Sequence, residues 1–164
     1  MRLYFAGPLF TQAERAWNRQ VAAALEAAGH NVFLPQTAVQ GLETLKAETI
    51  FRLDVEAVVA SEALIAVLDG ADADSGTCFE CGIAFARGVP IVAIRTDFRA
   101  GGDALPGQTL ASVNLMLSQA ATRVLHVPDP GFGPEAVAAA LIEALANLPS
   151  PPKAPGGDCR AKRD

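Results

Sequence analysis

The side chains with the clearest chemical potential lie in the segment Asp74-Ser75-Gly76-Thr77-Cys78-Phe79-Glu80-Cys81-Gly82. Glu80 stands among Cys78, Phe79, Cys81, Ile83, Ala84 and Phe85, an almost wholly apolar run with helical character. A carboxylate set into such a run is costly unless it meets a cavity or a partner. A place near a helix N-terminus favours the ionised form, which a carboxylate nucleophile requires. The plain alternative is a glutamate that reaches solvent from a partly exposed face. Asp74 and Ser75 are good helix N-caps, and Gly76 lets a ligand approach the backbone closely. For Asp74, a cap that is also a surface acid competes equally with a chemical role.

Asp54 is a second acid in apolar company, in Leu53-Asp54-Val55-Glu56-Ala57-Val58-Val59-Ala60. Solvation explains Glu56 and extends to Asp54 as its simpler account. The stretch Tyr4-Phe5-Ala6-Gly7-Pro8-Leu9-Phe10 supplies a phenol and a close-packed backbone, and ordinary strand-to-helix packing is the favoured account of it from the residues alone. There is no G-x-x-x-x-G-K-[ST], no G-x-G-x-x-G and no G-x-S-x-G, so triphosphate and dinucleotide cradles and a serine elbow are missing. Cys78 and Cys81 form a C-x-x-C with no second Cys or His pair to complete a zinc site, so no metal is expected. A redox pair should open a helix directly after a strand, whereas an acidic loop intervenes here. Small thiols lining the core or the site are the expectation.

The elements that position these residues follow from hydrophobic patterning. Strands are expected at Leu3 to Ala6, Val32 to Leu34, Ala63 to Leu68, Val89 to Ile94 and Val124 to Val127. The near-continuous apolar runs are those of buried parallel strands. Helices are expected from Thr11 to about Ala28, with Trp17, Val21 and Leu25 on one face and Gly29 after its end. Others follow at about Leu42 to Ser61, from the Asp69 to Asp74 loop to Arg87 with Gly88 as cap, at Leu110 to Ala121, and at Pro134 to Leu148. Loops are read at Gln36 to Gly41 and Arg95 to Gln108.

This β-α alternation predicts an α/β fold: a single doubly wound, flavodoxin-like domain with a five-stranded parallel sheet, over residues 1–148. The tail 149–164, rich in Pro, Gly and charge, is expected to be disordered. In such folds ligands bind beyond the carboxyl ends of the strands, which points to Tyr4 to Phe10, Pro35 to Gly41, Asp69 to Thr77 and Arg95 to Gln108.

With 51% hydrophobic and 19% charged residues over 164 positions, the chain reads as globular. A net charge of -5 argues against a nucleic-acid surface. The N-terminal apolar run is too short for a signal peptide, and no stretch approaches the ~20 apolar residues of a membrane span. A cytoplasmic location is expected.

Several of these pieces coincide in one family. The opening Leu3-Tyr4-Phe5-Ala6-Gly7-Pro8-Leu9-Phe10, Asp54, Asp74 twenty residues later and Glu80 six residues after that form an ordered set. The run Glu80-Cys81-Gly82-Ile83-Ala84, then Gly88-Val89-Pro90-Ile91-Val92 and Asn114-Leu115-Met116, completes it. The set, over roughly residues 1 to 127, resembles nucleoside 2-deoxyribosyltransferases. The E-x-G-x-A helix also occurs in related nucleotide N-glycosidases.

The resemblance implies that Glu80 is the nucleophile, oriented by Tyr4, with Asp74 and Asp54 binding the base or moving protons to it. It implies substrate contacts from the first loop (Phe5, Gly7), from Gln36 or Gln40 after the second strand, and from the backbone at Gly76. Asn114 and Met116 would reach into a neighbouring subunit's site, so a homo-oligomer, a dimer or an assembly of dimers, is implied. The implied substrates are 2'-deoxyribonucleosides and free nucleobases, exchanged with retention through a covalent deoxyribosyl-glutamate and with some hydrolysis. No metal or organic cofactor is needed for that chemistry. The competing expectations are a nucleoside 5'-monophosphate N-glycosidase, which would need phosphate donors such as Arg95 and Arg99, and a non-catalytic nucleotide-binding module.

Overall fold

The structure is a computed structural model that describes residues 1–40, 46–97, 99, 102, 112–127 and 133–148. Five strands, β1 (Arg2–Ala6), β2 (Asn31–Phe33), β3 (Ala63–Val67), β4 (Ile91–Arg95) and β5 (Arg123–His126), form one sheet in the order β2-β1-β3-β4-β5. Every neighbouring pair is parallel. This is the doubly wound, flavodoxin-like arrangement, with the reversal of winding between β1 and β3. Helices α1 (Gln12–Ala27) and α6 (Pro134–Ala146) cover one face. The other carries α3 (Ala47–Ala60), α4 (Ser75–Arg87) and the short α5 (Leu115–Ala120). A four-residue helix α2 (Pro35–Ala38) follows β2.

The two-residue period of the strands decides which side chain goes where. Leu3 and Phe5 join Ile65, Val92, Val21, Leu25 and Leu141 in the core under α1 and α6. Tyr4 and Ala6 join Leu64, Ala66, Ala93, Val58, Cys81 and Ala84 in the core under α3 and α4. Tyr4 and Phe5, neighbours in sequence, are therefore separated by the full thickness of the sheet.

Local chemistry sets the helix ends. Thr11 caps α1 in a reciprocal box: Glu14 N donates to its hydroxyl, and the Glu14 carboxylate accepts from Thr11 N. Helix α4 ends at Gly88, whose φ of 71° is left-handed. Gly88 N donates to Phe85 O and Val89 N to Ala84 O, a Schellman ending. Val89 is thus held by the cap, and strand pairing starts at Ile91 rather than at Val89 as the apolar run had implied.

Pro35, read as a strand end followed by loop, instead opens α2, because proline is preorganised for the first helical position. Helix α3 is described from Ala47, and the residues read as its first turn, 42–45, lie outside the described set, as do the tail 149–164 and the start of the expected helix at Leu110. Among the described residues no helix is long and apolar enough to cross a membrane.

Candidate active site

Tyr4 and Glu80 meet under α3 and α4. The Tyr4 hydroxyl donates to Glu80 Oε1 at 2.6 Å. Strand β1 presents the phenol from the sheet floor, where it is fully buried and its ring stacks on Phe33 with centroids 5.4 Å apart. Phe33 is the cross-strand partner of Tyr4 in the β1–β2 register. Burial and the facing carboxylates push the phenol's pKa far upward, so Tyr4 is a permanent donor to Glu80.

Burial raises the pKa of Glu80 to about 7, with Asp54 and Asp74 adding to the rise and the Tyr4 hydrogen bond opposing it. The expected preference for the ionised form from the helix N-terminus is thus opposed by burial. Glu80 is the sixth residue of α4, and the helix field fades within the first turn. Desolvation therefore outweighs it. Asp54, half-buried on α3, is also raised, by desolvation. Asp54 and Asp74 stand close enough to Glu80 to oppose its ionisation, and Asp54 and Glu80 hold protons more tightly than free acids do.

Asp74 is the N-cap of α4. Its Oδ2 accepts from Thr77 N at 2.9 Å and from the Thr77 hydroxyl at 3.2 Å. Among the described residues its other oxygen forms no hydrogen bond, so one oxygen of the carboxylate builds the helix and the other is left unengaged. A Cβ on Gly76 would lie 3.1 Å from Asp74 Oδ2, so glycine leaves that carboxylate its room. Thr77 is buried and was not singled out by the sequence reading. Its offset of three from an Asp cap was the available signal.

The other expected contacts scatter. Phe5 is 1% exposed and its side chain packs against Trp17 on the opposite face, so only its backbone is left for the expected first-loop contact with substrate. Gly7 has Val67 against it, since a Cβ there would sit 3.1 Å from Val67 Cβ, so it serves loop packing. Gln36 donates to Arg15 O at 2.8 Å and accepts from the buried Asn18, which ties its amide to α1. Gln40 is exposed, and its amide reaches Gln36 O at 3.5 Å. Asn114 caps α5 by accepting from Met116 N at 2.9 Å, and Met116 is largely exposed.

Phe51 on α3 and Phe79 on α4 form a tilted pair with centroids 6.0 Å apart, at 57% and 56% exposure. They stand beside the acids, Phe79 next to Glu80 and Phe51 one turn before Asp54.

Burial raises both thiols, Cys81 to about 12, which removes the thiolate a redox pair would use. Among the described residues no cluster of His, Cys, Asp and Glu is arranged to hold a metal.

The arginines considered for phosphate are already engaged. Arg95 is 2% exposed and donates to Leu68 O, Gly70 O and Arg99 O. Arg99 pairs with Asp97, with Nη2 to Oδ2 at 2.5 Å. That pairing, with the hydrogen bond from Gly70 N, holds the Asp97 carboxyl well below the usual range.

No curated protein matches the sequence. Solved structures do. A conserved protein from Enterococcus faecalis V583 is 28% identical, with 87% of this chain and 98% of that chain covered and a TM-score of 0.66. A 2-deoxyribosyltransferase from Bacillus psychrosaccharolyticus is 21% identical, with 93% and 98% covered and a TM-score of 0.63. The CMP N-glycosidase BcmB of Clostridium botulinum is 16% identical, with 87% and 98% covered and a TM-score of 0.54. At these last two identities the likeness is one of fold. The family model for nucleoside 2-deoxyribosyltransferase matches residues 3–127, a span that holds Tyr4, Asp54, Asp74 and Glu80. The chain belongs to the nucleoside 2-deoxyribosyltransferase family.

Proposed function

We propose that this protein exchanges the base of 2'-deoxyribonucleosides by a retaining double displacement on Glu80. The observation that carries the reading is the 2.6 Å bond from the buried Tyr4 hydroxyl to Glu80. It fixes one carboxylate oxygen and leaves the other to attack.

In the first half-reaction Glu80 Oε2 forms a bond to C1' as the C1'–N bond breaks. The bonding electrons go to the departing base, which takes a proton from a carboxylic acid. Asp54 suits that donation, because desolvation keeps its acid form to higher pH. Asp74, with one oxygen bound by Thr77, offers the other to the base or to the same proton. In the second half-reaction an incoming base attacks C1', its proton passes to the ionised acid, and Glu80 is released. Water in place of the base gives hydrolysis, so the side reaction depends on how fully the pocket excludes water. Carboxylates suffice for every step, with no metal or organic cofactor taking part.

Charge supports a reading of the substrate class. Asp54, Asp74 and Glu80 make the site acidic, while Arg95 and Arg99 are spent on carbonyls and on Asp97. A 5'-phosphate would meet repulsion with no free guanidinium from this pair, which favours uncharged nucleosides over 5'-monophosphates. The exposed Asn114–Met116 segment supports a second copy's site as its target, and so a homo-oligomer with shared sites.

Deoxyadenosine incubated with a second free base, followed by chromatography, tests the reading. A new deoxynucleoside is expected, with turnover of deoxyadenosine 5'-monophosphate at least about tenfold slower. Faster turnover of the monophosphate, yielding 2-deoxyribose 5-phosphate and free base, would establish the N-glycosidase alternative instead. Reversible binding without turnover would establish a binding module.

A further inference from the structure

We propose that Arg95 is a positioning residue for the site. Its guanidinium, buried beneath the loop between β3 and α4, sets where α4 begins and so where Asp74 and Glu80 stand. The proposal deepens the reading of Glu80 as the nucleophile and rests on it for its kinetic consequence; its structural consequence is independent of that reading.

A buried guanidinium is unfavourable unless its N–H groups find acceptors. Arg95 meets that demand with main-chain carbonyls. Nη1 donates to Leu68 O at 2.5 Å and Nη2 to Gly70 O at 2.9 Å. Nη2 and Nε both donate to Arg99 O, at 2.7 and 3.1 Å. Among the described residues no carboxylate forms an ion pair with it. What the charge holds is the path of the chain leaving β3.

A second set of bonds holds the neighbouring Asp69, and Gly70 again, from the same strand end. The Asp69 carboxylate accepts from Thr96 N at 2.6 Å, the Thr96 hydroxyl at 2.5 Å and Asp97 N at 3.0 Å. Gly70 N donates to Asp97 Oδ2 at 3.2 Å. Gly70 has φ of 113°, and a Cβ there would stand 3.0 Å from Asp72 O, so the bend admits only glycine without strain. Four residues on, Asp74 caps α4. Arg95 also borders a crevice with Asp72, Ala73, Ser112, Val113 and Asn114. One side chain thus adjoins both the loop that carries Asp74 and the segment that carries Asn114.

Arg95 forms a planar fork that reaches three carbonyls. Lysine has one nitrogen and no fixed fork, so it replaces only part of this arrangement. The competing account is a general contribution to stability at the end of β4, and it makes a different prediction.

The wild-type protein, Arg95→Lys and Arg95→Met are compared by native-state hydrogen exchange and by steady-state base exchange. The expected result is a loss of protection of at least about tenfold at the Gly70, Thr77 and Cys78 amides, with α1 and α6 unchanged. The kcat for base exchange should fall about 10- to 100-fold with KM within about threefold, as for a small displacement of a reacting group, and the Lys variant should lie between. Loss of protection spread evenly over the molecule, unchanged protection at those amides, or wild-type kcat in a folded Met variant would overturn the proposal. If Arg95→Met does not fold, Arg95→Lys carries the same readings. If the wild-type protein exchanges no base at all, the proposed activity fails, and the exchange pattern still decides the role of Arg95.

Discussion

Burial raises the pKa of Glu80 from an ordinary 4.5 to about 7, and the Tyr4 phenol works against that rise. The two influences can be separated by titration. The carbon-13 shift of the Glu80 carboxyl should move with a midpoint near 7. Tyr4→Phe should raise that midpoint by removing a donor to the ionised form. Asp54→Asn should lower it by removing a like charge. A midpoint unmoved in both variants would show that the three groups do not form one electrostatic unit. Linkage gives a second consequence. A carboxyl whose folded pKa is raised takes up protons on folding, so its penalty is absent below about pH 4.5 and grows to full size by about pH 7. The penalty is at most about 3 kcal/mol for Glu80. Glu80→Gln should therefore raise Tm by several degrees at pH 8.5 and by little at pH 4.5, while exchange falls by ~10³-fold or more. Equal Tm changes at both pH values would contradict the desolvated carboxylate. Asp54 and Glu80 were legible in the sequence because an acid in an apolar helix is anomalous. Phe33 was not, because its contact with Tyr4 exists only once β1 and β2 are in register.

Helix α4 has a double dependence on Asp74, as cap and as candidate acid, and substitution can separate the two. Asp74→Ala removes the acceptor for Thr77 N and should cost about 1 kcal/mol in thermal or denaturant unfolding. Asp74→Ser restores a cap but no carboxylate, so Tm should recover while base exchange stays at least about tenfold down. Recovery of both would reduce Asp74 to a cap. The elements themselves were largely readable. Buried parallel strands announce themselves as apolar runs, and Thr11 and Gly88 mark a helix start and a helix end by chemistry that needs no tertiary partner. The failures were those that tertiary context decides. Pro35 ends a strand and begins a helical turn with equal ease, and α2 takes the second course. Val89 belongs by hydropathy to the strand and by hydrogen bonding to the helix cap. The two-residue period sends the Phe5 side chain to the core opposite Tyr4.

At the scale of the whole molecule, the reversal of winding between β1 and β3 brings Tyr4 from the sheet floor under Asp54 and Glu80 on the helices above. The exposed segment from Asn114 to Met116 is proposed to serve the site of a second copy. That can be tested by mixing two variants, Glu80→Ala and Asn114→Ala, each weakly active alone. If Asn114 acts across a subunit boundary, randomly mixed dimers should regain about a quarter of wild-type exchange, since half of them carry one intact site. Activity equal to the mean of the two variants would place Asn114 within its own subunit's site or outside it. The central claim is the covalent bond to Glu80, and rapid quenching with mass analysis of the peptides tests it most directly. Protein mixed with a deoxynucleoside in the absence of an acceptor base should yield the Glu80 peptide bearing one deoxyribosyl group. The adduct should disappear when a free base is added and be absent in Glu80→Ala. Exchange that proceeds with no adduct at Glu80, or at an undiminished rate in Glu80→Ala, would contradict the account.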